Sequence, residues 1–248
     1  MQYLFYRGVL SSGCTRGGTI NGPAVKSDLK QRIAVARGLQ EADLVLKGGS
    51  LVNVFSGEIY HTDVAIAGGK IAGLGSYDSS TVIDLTSKFI LPGFIDSHVH
   101  IESSMLTPAE FARAALPRGT TAVIADPHEI VNVLGTTGLR YMLAASESLP
   151  VDFYFMLPSC VPTTSLETSG ARLTAADLLP FLRHRRVIGL AELMNYPGVL
   201  HAEPDVLRKL RAFSHTQIDG HAPELSGNDL SAYAAVVHSW SDDMPAPA

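Results

Sequence analysis

From Phe94 onward, short strand-like runs alternate with stretches of helical period, and few folds accept that order. The strands expected from the sequence are 94–100, 120–125, 151–157, 187–193 and 216–220. Between them the periodicity predicts helices over 107–116, 129–147, 174–184 and 204–213, with another beginning at 229–235. Thr107, Pro108 and Glu110 form an N-terminal signature: cap, proline at the first helical position, and acid at the third. The second helix is expected to break near Gly135 to Gly138, and Pro180 makes the third imperfect. A complete eight-unit barrel takes about 250 residues, or about 30 per unit. The stretch from 92 to 235 therefore fits about five βα units of a partial (β/α)8 barrel. No glycine-rich phosphate fingerprint follows the first strand, which lowers the alternative of an open doubly wound sheet.

Upstream the texture differs. Residues 23–40 show mixed three- and four-residue apolar spacing and predict a helix. Short β-rich runs then follow at 43–47, 50–55, 63–67, 70–74, 81–84 and 88–91, punctuated by Gly48-Gly49, Ser56-Gly57 and Gly68-Gly69. That spacing reads as a small antiparallel β-sandwich. The expected organisation is thus an extension at 1–22, a helix and β-sandwich domain at 23–91, the partial barrel at 92–235 and a divergent tail at 236–248. Residues 1–22 lack the charged start and apolar run of a secretory signal and are read as a poorly ordered or mis-called extension.

The net charge of −5 supplies no basic excess for neutralising phosphates, which argues against nucleic acid as a partner. Two cysteines, Cys14 and Cys160, are too few for a disulfide framework, and a reducing cytoplasm is the plain setting. No apolar run approaches the roughly 18 residues of a membrane span.

Four local patterns carry chemistry. His98 and His100 are two apart on a strand, so both rings face one side at its C-terminal end. Such a pair can chelate one cation, although an isolated His-x-His is a weak signal. Asp126-Pro-His-Glu129 follows the second strand. Spacing alone gives about even weight to a plain helix start, with Asp126 as cap and Glu129 closing a capping box. Glu192 is a carboxylate inside an apolar strand, where such a group is paired or metal-bound. His221 ends the fifth strand, where an exposed loop histidine is the bland alternative. Together they place His, His, Glu and His at the mouth of one barrel, as a metal site requires.

Pro92-Gly-Phe-Ile-Asp-Ser-His-Val-His100 resembles the first-strand motif of the amidohydrolase superfamily. His100-Ile-Glu-Ser-Ser104, Ala125-Asp-Pro-His-Glu-Ile130, Leu157-Pro-Ser-Cys-Val-Pro162, Ala191-Glu-Leu-Met-Asn-Tyr-Pro-Gly198 and Asp219-Gly-His-Ala-Pro223 resemble the bacterial-type adenine deaminases within it. The likeness runs over about residues 23–235, and Glu192 stands where most superfamily members have a carboxylated lysine. The resemblance implies hydrolytic deamination of adenine to hypoxanthine and ammonia at a site with two divalent metal ions, Mn or Fe in preference to Zn. It implies that His98 and His100 hold one metal, that Glu192 bridges both, and that His221 binds the second. Asp126, His128 and Glu129 take proton handling or auxiliary metal contact, with Asp126, Glu129 and Glu192 as the catalytic carboxylates and His128 as a further ligand. Cys160 is read as lining the pocket. The family also implies a small-molecule partner, adenine, and a homo-oligomer without membrane attachment.

The likeness stops after Ala235. The family pattern continues with a sixth strand carrying Ser-Asp-His-Glu and an eighth carrying an aspartate, whereas this sequence reads Val236-Val-His-Ser-Trp-Ser-Asp-Asp-Met-Pro-Ala-Pro-Ala248. His238 lacks the matching neighbours of a strand-six ligand. The expectation is a truncated chain of weak or absent activity. Two alternatives stand beside it: a different metal-dependent amidohydrolase of cyclic amides or amines, and a non-catalytic fragment that binds a full-length homologue.

Overall fold

The computed structural model describes residues 23–164 and 166–240, so the expectation for 1–22 lies outside the described residues. The chain divides into two compact units, one up to Gly93 and one from Phe94 onward.

In the first unit, helix α1 (Pro23–Ala36) precedes strands β1 (Leu44–Asn53), β2 (Glu58–Ala67), β3 (Lys70–Leu74), β4 (Val82–Asp84) and β5 (Phe89–Ile90). Only part of the expected apolar face of α1 is covered: Val35 is fully buried, while Leu29 and Ile33 are about half exposed. The runs at 43–47 and 50–55 are not two strands. They form one continuous β1, whose register with β2 shifts between Leu46 and Gly49. The Gly48-Gly49 pair is therefore a bulge and not a turn. Gly48 has φ +71°, and a Cβ on Gly49 would meet Ile90 carbons at 2.7 Å and 2.8 Å. The strand at 63–67 also extends back to Glu58.

The described strands make one sheet in the order β3-β2-β1-β4, with β5 also on β1. Its pairing is mixed and not antiparallel throughout: β2 runs antiparallel to β1 and β3, whereas β4 and β5 run parallel to β1. Alternation along β1 and β2 sends Val45, Ala65 and Ala67 into one apolar cluster with Val35. Leu46, Val64 and Ile66 enter another with Leu85 and Ile90.

The second unit holds β6 (Phe94–Val99), β7 (Thr120–Ala125), β8 (Asp152–Pro158), β9 (Val187–Ala191), β10 (Gln217–Gly220) and a short β11 (Ser239–Trp240). All are parallel neighbours in chain order. That order, with helical crossovers between strands, belongs to a β/α barrel sheet and not to a doubly wound one, whose order reverses at a switch point. The five expected strands are all present. The sixth, β11, falls inside the stretch read as a divergent tail: the His238 amide donates to the Ile218 carbonyl at 2.8 Å and starts the pairing. The His238 side chain is exposed.

The crossover helices are α2 (Pro108–Ala115), α3 (His128–Leu134), α4 (Thr136–Ala145), α5 (Ala175–Leu178), α6 (Tyr196–Leu200), α7 (Pro204–Phe213) and α8 (Gly227–Ala234). Their termini follow local chemistry. The Thr107 hydroxyl accepts from the Glu110 amide, and Thr174 and Asp177 form a reciprocal capping box at α5. The break between α3 and α4 falls at Gly135, and Pro180 lies in the 3-10 turn that follows α5. Helix α6, capped by the Asn195 side chain, adds a short helix to those the periodicity predicts. Inside this unit Val123, Phe153, Phe155, Leu157 and Phe213 form part of one continuous core. Among the described residues no helix is long and apolar enough to cross a membrane.

Candidate metal centre

The C-terminal ends of β6, β7 and β9 bring their polar side chains together. His98 Nε2 lies 2.7 Å from Glu192 Oε1, and His100 Nε2 lies 3.3 Å from the same oxygen. The two Nε2 atoms are 3.1 Å apart. This triangle has sides close to the roughly 3.3 Å edge of a tetrahedron with metal bonds of about 2.0 Å. His100 Nδ1 is 2.9 Å from the Asp126 carbonyl. In the neutral ring that acceptor holds the proton on Nδ1 and leaves the Nε2 lone pair directed toward Glu192, the orienting device usual for ligating imidazoles.

Asp126 does not cap helix α3. The residue at the cap position is Pro127, with no side-chain cap bond. Asp126 is 1% exposed, and its Oδ2 sits 2.9 Å from His128 Nδ1. The capping-box reading of Asp126 and Glu129 therefore fails, because tertiary contact outweighs the local motif. Glu129 instead accepts the Ser103 hydroxyl on Oε1 at 2.7 Å. Its Oε2 faces His100 Nδ1 at 3.6 Å and His128 Nε2 at 3.9 Å.

Three groups of possible ligands result: His98 with His100 and Glu192; His100 with His128 and Glu129; and Asp126 with His128 and Glu192. Within each group the ligand atoms lie within 4.8 Å of one another. His221 is in none of these groups. It follows β10, its carbonyl accepts the Tyr233 hydroxyl at 2.9 Å, and its buried Nδ1 has no hydrogen-bond partner. Cys160 is also in none of them. It is buried.

Two residues with no expected role complete the cluster. Glu102 and Ser103 lie in a 3-10 turn (Glu102–Ser104) that folds back toward α3. Glu102 Oε1 accepts the Ile130 amide at 3.3 Å, while its buried Oε2 has no partner. The sequence signal was their place directly after the histidine pair, but a strand-based reading gives no direction to residues beyond the strand.

The electrostatics fit a cation. Asp126 Oδ1, Glu129 Oε2 and Glu102 Oε2 are buried without hydrogen-bond partners, and buried acceptors of that kind call for a counterpart. Four carboxylates surround three imidazoles, an excess of negative charge when the rings are neutral. Without a cation, protons take its place. The hydrogen bond to Glu192 pushes His100 up to about 10, and the same carboxylate raises His98. Burial opposes ionisation of Glu192, yet the hydrogen bonds from His100 and His98 hold it well below its usual range. Burial pushes Asp126 and Glu102 up. Burial lowers His128, but its bond to Asp126 and the nearby carboxylates more than reverse that. The residues therefore suit divalent ions bound by nitrogen and oxygen ligands, with water activation as the accessible chemistry.

The model of the amidohydrolase family matches residues 89–241. The chain is 56% identical over 207 residues to "Adenine deaminase 2" of Carboxydothermus hydrogenoformans, covering 84% of this chain and 36% of that one. It is also 56% identical to an adenine deaminase of Desulfatibacillum aliphaticivorans, covering 83% and 36%. The chain thus spans about a third of the length of these curated relatives. Among solved structures, N-acyl-D-glutamate deacylase of Bordetella bronchiseptica, complexed with zinc and a phosphonate inhibitor, superposes with a TM-score of 0.55 at 13% identity, over 81% of this chain and 51% of that one. At that identity the likeness concerns the fold alone.

Proposed function

The chain belongs to the amidohydrolase family, and from that premise we propose that it carries the metal-binding part of an enzyme that converts adenine and water to hypoxanthine and ammonia. One observation carries the reading: His98, His100 and Glu192, from strands that are not neighbours, aim their ligand atoms at one point. The relatives at 56% identity supply the substrate class.

His98, His100 and Glu192 would hold one divalent ion, with Asp126 and His128 beside the second carboxylate oxygen of Glu192. When bound, the metal supplies the Lewis acidity that makes water a nucleophile near neutral pH. The chain's own groups handle the protons. Water oxygen adds to the ring carbon that bears the amine, one water proton passes to a carboxylate and from it to the amine, and the carbon–nitrogen bond breaks to release ammonia, the other water proton staying with hypoxanthine. Glu129 suits this transfer, because Ser103 fixes one of its oxygens and leaves Oε2 without a hydrogen-bond partner, facing His100 and His128. Asp126, raised by burial, orients His128.

The same reading takes Mn or Fe in preference to Zn on the resemblance to adenine deaminases, the thiolate-free ligand groups suiting any of the three. It takes the sheet between Leu44 and Ile90 as one layer of the small β-sandwich that accompanies such barrels. It also places the protein in the cytoplasm as an assembly of identical copies.

The test is incubation of the manganese-loaded chain with adenine, with hypoxanthine resolved by chromatography and ammonia measured in parallel. Equimolar hypoxanthine and ammonia, both lost in His98→Ala, support the reading. Inertness toward adenine together with hydrolysis of a cyclic amide such as dihydroorotate assigns the centre to another amidohydrolase reaction.

A further inference from the structure

Helix α7 buries Val206, Lys209, Leu210 and Phe213, the i, i+3, i+4 and i+7 positions of a core-facing stripe. Lys209 is the exception in kind, an ammonium on a residue only 5% exposed. A buried charge is costly unless it is used. Its Nζ donates to the Ser159 carbonyl at 2.7 Å, and the Asp205 carboxylate is farther off, at 3.8 Å.

Ser159 follows β8 directly and is itself buried. Its hydroxyl donates to the Glu192 carbonyl at 2.5 Å. Glu192 stands one residue past the end of β9, beyond the last ladder pair, Pro158 with Ala191. The ladder therefore stops just short of the residue whose carboxylate matters. On the other side of Glu192, the Leu193 amide donates to the Asp219 carbonyl at 2.8 Å.

We propose that Lys209 and Ser159 are positioning residues, forming a buried strut from α7 through the end of β8 that fixes the backbone of Glu192 and so aims its carboxylate at His98 and His100. The proposal rests on Glu192 being a metal ligand. Lys209 anchors the Ser159 peptide, and the anchored serine presents its hydroxyl to Glu192. Neither side chain touches the metal-facing atoms.

Two readouts on the full chain test it: hydrogen exchange at the Leu193 and Met194 amides, and calorimetric titration with zinc. In Ser159→Ala those amides exchange about tenfold faster while Phe155 in β8 keeps its parental rate, and zinc binds roughly 10-fold more weakly, the usual scale for loss of an outer support. Ser159→Thr, which keeps the hydroxyl, restores both. Lys209→Met moves both in the same direction, and the double variant is no worse than the weaker single, because both cut one strut. Parental exchange and parental zinc affinity in Ser159→Ala and Lys209→Met overturn the proposal. If Lys209→Met does not fold, the Ser159 pair decides alone. If the parent chain takes up no zinc, the reading of Glu192 as a ligand fails, and exchange at Leu193 and Met194 still decides whether the strut exists.

Discussion

Glu192 Oε1 meets His98 Nε2 at 2.7 Å although β7 and β8 lie between their strands in the sheet. In a flat sheet three strand spacings amount to about 14 Å. The contact therefore requires a sheet curled toward a common axis, as in a barrel. Curl is what turns three separate sequence motifs, around His98 and His100, Asp126 to Glu129, and Glu192, into one site.

Glu192→Gln tests this geometry directly. The amide keeps the shape, removes the charge and offers one oxygen instead of two. Metal affinity falls at least roughly 10-fold, since even outer-shell changes at such sites cost that much. Metal content after dialysis, measured by plasma mass spectrometry, checks it. Retention of parental metal content would remove Glu192 from the ligand set.

The metal-free chain carries a pH signature. His100 is raised from 6.5 to about 10 by its hydrogen bond to Glu192. A raised imidazole contributes stability that is complete below about 6.5 and is lost as pH climbs toward 10. Burial works against it, but the bonds from His100 and His98 depress Glu192 below its usual value of 4.5. That contribution is present above about 4.5 and is lost as pH falls below it. These two groups therefore support the metal-free Tm most strongly between about pH 4.5 and 6.5, with a decline on either side. Metal binding must displace the imidazole protons, so the Tm gain from added zinc grows as pH rises from 6 to 8. Melting curves with EDTA and with zinc across this range check both slopes.

The barrel strands were legible because each is a short apolar run bounded by turn residues, and because a helix start such as Thr107-Pro108 announces itself locally. The β-rich region was less so. Gly48-Gly49 has the composition of a turn, yet it forms a bulge in which Gly48 takes a positive φ and Gly49 leaves room for Ile90. Asp126 shows the same limit at the site. A capping box and a buried carboxylate beside an imidazole can share one spacing, and only the contact with His128 separates them. Lys209 occupies a core position of its helix, and its partner Ser159 is 50 residues away in sequence. Its use could not be read from local pattern.

Tyr233 and Gly220 form a second support for the strand ends. The Tyr233 hydroxyl lies 2.7 Å from the Leu193 carbonyl and 2.9 Å from the His221 carbonyl. Tyr233→Phe strips buried carbonyls of their donor and costs about 1–3 kcal/mol. Gly220→Ala would set its Cβ 2.7 Å from the Tyr233 hydroxyl and 2.8 Å from a ring carbon, an overpacking cost of about 1–3 kcal/mol. Urea unfolding of the two single variants and their combination checks this. The residues touch, so the two losses should not add.

His221 tests whether the centre takes up a second ion. Its ligand atoms join none of the three groups, while His98 belongs to the tightest of them. Its buried Nδ1 nevertheless lacks a partner, which suits a ligand to a second ion. His98→Ala should therefore remove the tightly held metal, with at least a roughly 10-fold loss of affinity. His221→Ala should leave that first ion in place within about twofold and lower only further uptake. Stoichiometric titration with manganese, read by plasma mass spectrometry after gel filtration, distinguishes the two. Loss of the first ion in His221→Ala would place this imidazole in the same coordination sphere as His98 and His100.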